Sequence, residues 1–372
     1  MGRGSTGILI RKVVECLTEG PRTIAEIAEA TGLDRTAIGK YVNLLKDSKL
    51  LFEEQIGSSK KFTITPTYRT DTYFGLPLEK VSEQQISSVY HLINKYWAEK
   101  TEKRLSSTYA QKIAFKVIKT CNELKIPSGW YMYGGMSVAP YDGSVHYPYY
   151  SLPQKVDLCV KEVVKEVVPF DHAWQVKNWQ YTDAPELYKV KEGILKILYG
   201  PKINEEPKNS LHIIIKLVRK LLSLTPKVDR KNYVDILDAY QDLLLDMYNK
   251  LDDKRLIEHK QECIELFEAI WRYIALFNFK NDLLKFYNKE ILDMHFLLDI
   301  QQQEAETIEL GTQLQSLIPE TDIAKKRMYD ALNRMKSVDP KQLEKQNNEL
   351  ETLQKEKRLE EYNKGLLNKF GF

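Results

Sequence analysis

The sequence predicts a mainly α protein. Apolar residues recur at helical spacing from residue 5 to 45 and again over most of the chain from residue 82 onward. Strand-like alternation is confined to one pair of short runs near residues 50 to 65. No stretch holds about twenty uninterrupted apolar residues, so a soluble helical chain with no membrane span is expected.

Residues 5–18 form the first helix, with Ile8, Leu9, Val13, Cys16 and Leu17 on one side; Gly20-Pro21 ends it. Thr23 caps the next helix, with Glu26 three residues later as its capping-box partner. Ile24, Ile27 and Ala28 give that helix one apolar side, and Gly32 supplies the positive φ that turns the chain. Asp34 caps a third helix. Ala37, Ile38, Tyr41, Val42 and Leu45 face inward there, leaving Arg35, Thr36, Gly39, Lys40 and Asn43 on the opposite arc. Leu50–Gln55 and Lys61–Thr65 then alternate as two strands around a loop of Gly57, Ser58, Ser59 and Lys60.

This order (helix, capped helix, Gly turn, helix, hairpin with a basic Gly-Ser loop) resembles the winged helix-turn-helix regulators of the MarR/ArsR kind over residues 5–68. The resemblance implies that the exposed face of the third helix enters a DNA major groove and that the hairpin is a wing. Arg35, Thr36, Lys40 and Asn43 are then the base-reading candidates. Thr23, Ser58, Ser59, Lys60 and Lys61 are the backbone contacts. Fold does not fix function, and winged helices also serve as protein-docking modules.

Further along, Tyr73, Phe74 and Leu76 are too apolar for a free linker and predict a connector lying on a domain surface. Ser82 caps the next helix, and another covers 107–124. Residues 126–153 hold Trp130, six tyrosines, four glycines and four prolines, which predicts a long loop. Three readings are open: a packed Ω-type loop, a ligand or partner surface using Trp130, Tyr131, Tyr133, Tyr141 and Tyr147, or a further DNA contact. From about 153 onward everything reads as helix. Trp174 and Trp179 are expected in the core of the segment 172–200, and residues 210–224 are expected to be buried on more than one side. Residues 283–317 suit one long helix, and 319–336 a shorter one. The last charged stretch carries Leu343, Leu350, Leu353 and Leu359, a thin seam that suits a short coiled coil or a surface helix. The organisation read from these breaks is 1–68 as the winged helix-turn-helix domain, 69–81 as connector, 82–200 as a helical domain with the long aromatic loop 126–153, 201–336 as a helical bundle, and 337–372 as a charged helix.

The 372 residues carry a net charge of +3 on 107 charged side chains, so any polyanion contact must come from a local patch. Cys16, Cys121, Cys159 and Cys263 have no metal or disulfide spacing, which fits a reducing cytoplasm. The six histidines are scattered, and no HExxH, GxSxG, P-loop or GxGxxG occurs. His295, on an apolar helix face, reads as a hydrogen-bonded core residue. No catalytic residue, metal or cofactor is expected. The expected function is a cytoplasmic DNA-binding transcriptional regulator whose partners are double-stranded DNA and a second copy of itself through the helical C-terminal region. The alternative is an accessory subunit of a chromosome-organising, defence or replication assembly, using the winged helix and helical body to hold protein partners.

Overall fold

A computed structural model of the chain describes residues 6–47, 50–65, 69, 71–224 and 230–318. Among these residues the chain is mainly helical, with fourteen α-helices and two two-stranded antiparallel sheets. The predicted helices beyond residue 318 lie outside the described residues.

The N-terminal part consists of α1 (Thr6–Thr18), α2 (Ile24–Thr31), α3 (Arg35–Asp47), β1 (Leu51–Ile56) and β2 (Ser59–Ile64). Three helices followed by an antiparallel hairpin are compatible with a winged helix. One core unites them: Val13, Val14 and Leu17 from α1, Ile27 from α2, Ile38, Val42 and Leu45 from α3, and Leu51, Phe62 and Ile64 from the hairpin. The ends form as the residues dictate. The Glu26 N–H donates to Thr23 Oγ1 at 3.2 Å while the Thr23 N–H donates to Glu26 Oε2 at 2.6 Å, a reciprocal cap. Gly32 closes α2 at φ 68, and the Thr36 N–H donates to Asp34 Oδ1 at 2.8 Å. Arg22 and Phe62 exchange backbone hydrogen bonds at 3.0 and 2.8 Å, which ties the α1–α2 connection to β2.

Beyond the hairpin, Tyr73–Gly75 make a single 3-10 turn, with Phe74 at φ 60. Then come α4 (Lys80–Lys100), α5 (Ser107–Thr120), β3 (Ser128–Tyr131), β4 (Gly134–Ser137), α6 (Gln154–Val167) and α7 (Ala173–Tyr181). Their core is an aliphatic and aromatic cluster built from α4, α5 and the valine face of α6. The helices α8 (Glu186–Tyr199), α9 (Lys202–Glu205), α10 (Pro207–Leu224), α11 (Arg230–Lys250), α12 (Asp253–Glu258), α13 (Lys260–Leu283) and α14 (Lys289–Ser316) complete the described chain. The chain divides into two compact units. One comprises the described residues up to Asp183 together with Asn278–Gln302; the other comprises Ala184–Phe277 and the described residues from Gln303 on. In the second, α10 packs against α8, α9, α11 and α12.

The structure corrects several expectations. Ser82 is not a cap: α4 begins at Lys80, and the buried Ser82 hydroxyl instead donates to the Lys125 carbonyl at 2.6 Å. Residues 126–153 are not a plain loop, because they contain the β3–β4 hairpin. The segment 172–200 is two helices divided before Pro185, whose ring suits the start of α8. Trp174 lies outside the core at 61% exposure, while Trp179 packs against it half-buried. The helix α10 buries one face only, since Ile213 remains exposed. The long helix expected from Leu283 starts at Lys289. Finally, the β1–β2 turn is the pair Gly57-Ser58, so Ser59 and Lys60 belong to β2.

Candidate nucleic-acid interface

On α3, at about 100° per residue, Arg35, Thr36, Gly39, Lys40 and Asn43 share an arc of roughly 140°. Ala37, Ile38, Tyr41, Val42 and Leu45 occupy the other side. The structure places them so: Ile38, Val42 and Leu45 are buried, and Arg35, Thr36, Lys40 and Asn43 are exposed. Gly39 sits between them in mid-helix, and a Cβ there would meet nothing within 4 Å. Packing within the chain therefore does not require a glycine, which costs a helix interior about 0.5–1 kcal/mol relative to alanine. What the bare position does provide is close access to the backbone of α3, flanked by an arginine, a lysine and an amide.

The hairpin is less simply basic than its sequence. In the β1–β2 register Glu53 faces Phe62 and Gln55 faces Lys60, so Glu53 and Lys60 share one side of the ribbon. Lys60 Nζ lies 2.7 Å from Glu53 Oε1, and Lys46 of α3 pairs with the other oxygen of the same carboxylate. Held between two ammonium groups, the Glu53 carboxyl is pushed down to about 2. Lys60 is thus partly neutralised. Lys61 points to the other side of the ribbon, directly across from Glu54 and with Ser59, Thr63 and the exposed Phe52 and Ile56. Ser58 and Ser59 are exposed at the tip. Thr23 is half-buried; its hydroxyl oxygen accepts the Glu26 N–H of the cap and its side chain also bonds the Glu26 carboxylate, whose pKa is pushed down by the Thr23 backbone N–H and hydroxyl. A four-residue loop, the length that the Gly-Ser-Ser-Lys run suggests, hides the Glu53 pairing. The two-residue turn of the structure keeps Lys60 within β2, diagonal to Glu53 on the same side of the ribbon.

The structure separates the aromatic residues of 126–153. Trp130 lies edge-on to Phe115 and Tyr181, with ring centroids 5.5 and 5.8 Å away. Tyr131 packs against Phe74 and Phe279. Tyr141 sits between Tyr90 and Tyr147, and its hydroxyl donates to Asn94 Oδ1 at 2.6 Å. The Tyr147 hydroxyl accepts the Asp142 N–H at 2.7 Å. These four rings fill space inside the fold. Tyr133, at the tip of the β3–β4 turn, is 58% exposed.

His295 is buried, with Nδ1 2.9 Å from the Phe74 carbonyl, the expected hydrogen-bonded core histidine; burial pushes its pKa down. Among the described residues no group of three or more His, Cys, Asp and Glu is placed to hold a metal ion, and no helix is long and apolar enough to cross a membrane. No protein-family model, curated protein or solved structure matches the chain, so the site is read from its residues and geometry.

Proposed function

We propose that the chain is a DNA-binding regulator whose first 68 residues form a winged helix-turn-helix reader of the MarR/ArsR kind. The exposure of Arg35, Thr36, Lys40 and Asn43 on one arc of α3, around an unobstructed Gly39, carries this reading. Arg35 supplies a planar fork suited to guanine O6 and N7, and Asn43 an amide suited to adenine. Lys61 and the Ser58-Ser59 tip supply backbone contacts, with Lys60 contributing less because Glu53 holds it. A single reader buries little surface, so two copies acting together through the helical C-terminal region belong to the same proposal.

The test is selection of bound duplexes from a random pool by the full chain, followed by affinity measurement on the enriched sequence. Arg35→Ala is expected to lower discrimination by about 1–3 kcal/mol at one base pair. Lys61→Ala is expected to weaken all duplexes alike and flatten the salt dependence. A wild-type chain that enriches no sequence and shows no salt-dependent duplex binding overturns the proposal.

One observation favours a second reading. Phe52 and Ile56 are 55% and 47% exposed on the same side of the hairpin. Large apolar groups there suit a protein partner better than phosphate, as expected of an accessory subunit. Phe52→Ser/Ile56→Ser, with duplex binding retained and a co-purifying protein gone, would select that reading.

A further inference from the structure

A second cationic surface lies away from α3. On α5, Lys112, Lys116 and Lys119 follow one another at i, i+4 and i+7, a single stripe of the helix. On the neighbouring α7, Trp174, Lys177 and Tyr181 follow one another along one stripe, with the half-buried Lys177 next to the buried Gln180. Lys177 lies close enough to Lys112 for the two charges to repel, and Lys285, after α13, stands in the same relation to Lys119. Burial and Lys177 together push the Lys112 pKa down to about 8, and burial with Lys285 pushes that of Lys119 down.

The glycine-rich hairpin β3–β4 shapes this surface. Lys112 Nζ donates to the Tyr133 carbonyl at 3.1 Å, one of three protons an ammonium can give. It reaches that carbonyl only because residue 134 is glycine: a Cβ there would lie 2.4 Å from Lys112 Nζ, and φ is +133. Rings alternate with the charges. Lys119 lies 5.3 Å from the Phe115 ring centre, Lys116 6.0 Å from Trp179, and Lys177 5.3 Å from Tyr181. Three carboxylates stand nearby. Asp183 pairs with Lys116, Asp282 accepts the Trp130 N–H at 2.8 Å near Lys119, and Glu166 accepts the Trp179 indole N–H at 3.1 Å. Among the described residues named, five lysines outnumber three carboxylates on this face. Tyr133 and Trp174 project from it at 58% and 61% exposure.

We infer that this face, formed by α5, α7, the β3–β4 hairpin and Lys285, binds single-stranded nucleic acid. The lysines follow the phosphate backbone, and Tyr133 and Trp174 offer flat rings to unstacked bases. Bringing like charges together at partly buried positions costs free energy that a bound polyanion offsets. Exposed rings beside such charges favour a strand whose bases are free to stack over a duplex or an acidic peptide. This surface shares no residue with the α3 reader.

The test uses the full chain and labelled oligothymidylate. The wild type is expected to bind it, with Trp fluorescence quenched on binding and the quench reduced in Trp174→Phe. Lys112→Gln/Lys119→Gln/Lys177→Gln/Lys285→Gln should bind about tenfold more weakly or worse, with the salt slope reduced by roughly 0.7 for each phosphate no longer neutralised. Should that variant misfold by circular dichroism, Tyr133→Ala/Lys285→Gln changes only exposed side chains and should show the same direction of loss. Arg35→Ala/Lys40→Ala should leave oligothymidylate binding intact. Unchanged affinity in the lysine and tyrosine variants overturns the inference, as does equal binding of a labelled polyglutamate peptide, which would make the face a docking site for acidic protein.

Discussion

At the scale of single residues, Glu53 decides how basic the hairpin is. Its carboxylate sits between Lys46 and Lys60, and their hydrogen bonds hold its pKa at about 2 instead of 4.5. A depressed carboxyl favours the folded state at every pH above its ordinary value, and that contribution disappears as pH falls from 4.5 through about 2. NMR titration of the Glu53 carboxyl should therefore give a midpoint well below that of a free glutamate. Lys60→Ala should move the midpoint upward, and an unshifted midpoint in the wild type would remove the pairing. Glu53→Gln should release Lys60 and strengthen binding to all duplexes, an effect that fades as salt rises. Much at this scale is legible in the sequence. The reciprocal Thr23–Glu26 cap, the Gly32 turn and the exposed arc of α3 follow from local rules and occur where those rules put them. What the sequence hides is long-range: Glu53 meets Lys46 only once α3 and β1 are folded against each other.

At the scale of elements, the β3–β4 hairpin is the one that sequence patterns miss. Its strands have four residues each and read SGWY and GGMS, with no β-branched residue and no apolar alternation. Tertiary contacts hold it. The Gln180 side chain accepts the Gly135 N–H at 3.2 Å and donates to the Gly135 carbonyl at 3.1 Å, acting as a surrogate strand neighbour. Phe115 fills the space a side chain at 135 would need, since a Cβ there would lie 2.0 Å from its ring. Gln180→Ala would leave a buried N–H and C=O without this partner, at about 1–3 kcal/mol each. The expected result is faster amide exchange at residues 128–137 and a lower urea midpoint; unchanged exchange would show that the ladder and Phe115 suffice alone. The misplaced helix breaks have a related cause. Within 172–200 the break falls at Thr182–Pro185, and only Pro185 marks where the next helix restarts. The large apolar ring of Trp174 suggests a core position, yet its place on α7 turns it outward, beside Lys177.

At the scale of the whole molecule, the near-neutral balance of +3 means that any nucleic-acid binding must come from concentrated patches, with the remaining surface contributing little. On the proposed reading the arc on α3 would offer few contacts: Arg35, Lys40 and Asn43 to bases, and Lys61 and the hairpin tip to phosphates. Each phosphate contact contributes about 0.9 to the salt slope on duplex DNA. One copy with so few contacts should therefore show a shallow slope and weak selectivity. Two copies on symmetric half-sites should show about twice that slope, with half-sites roughly 34–36 Å apart centre to centre if both α3 helices enter successive major grooves on one side of the duplex. Light scattering of the full chain on a selected duplex should then give two chains per DNA. Lengthening the spacer by half a helical turn should abolish the second binding step, and a full turn should restore a helical phase that half a turn destroys. A single chain per duplex, with a slope unmoved by half-site spacing, would mean that this reader works alone and that sequence selection depends on α3 by itself.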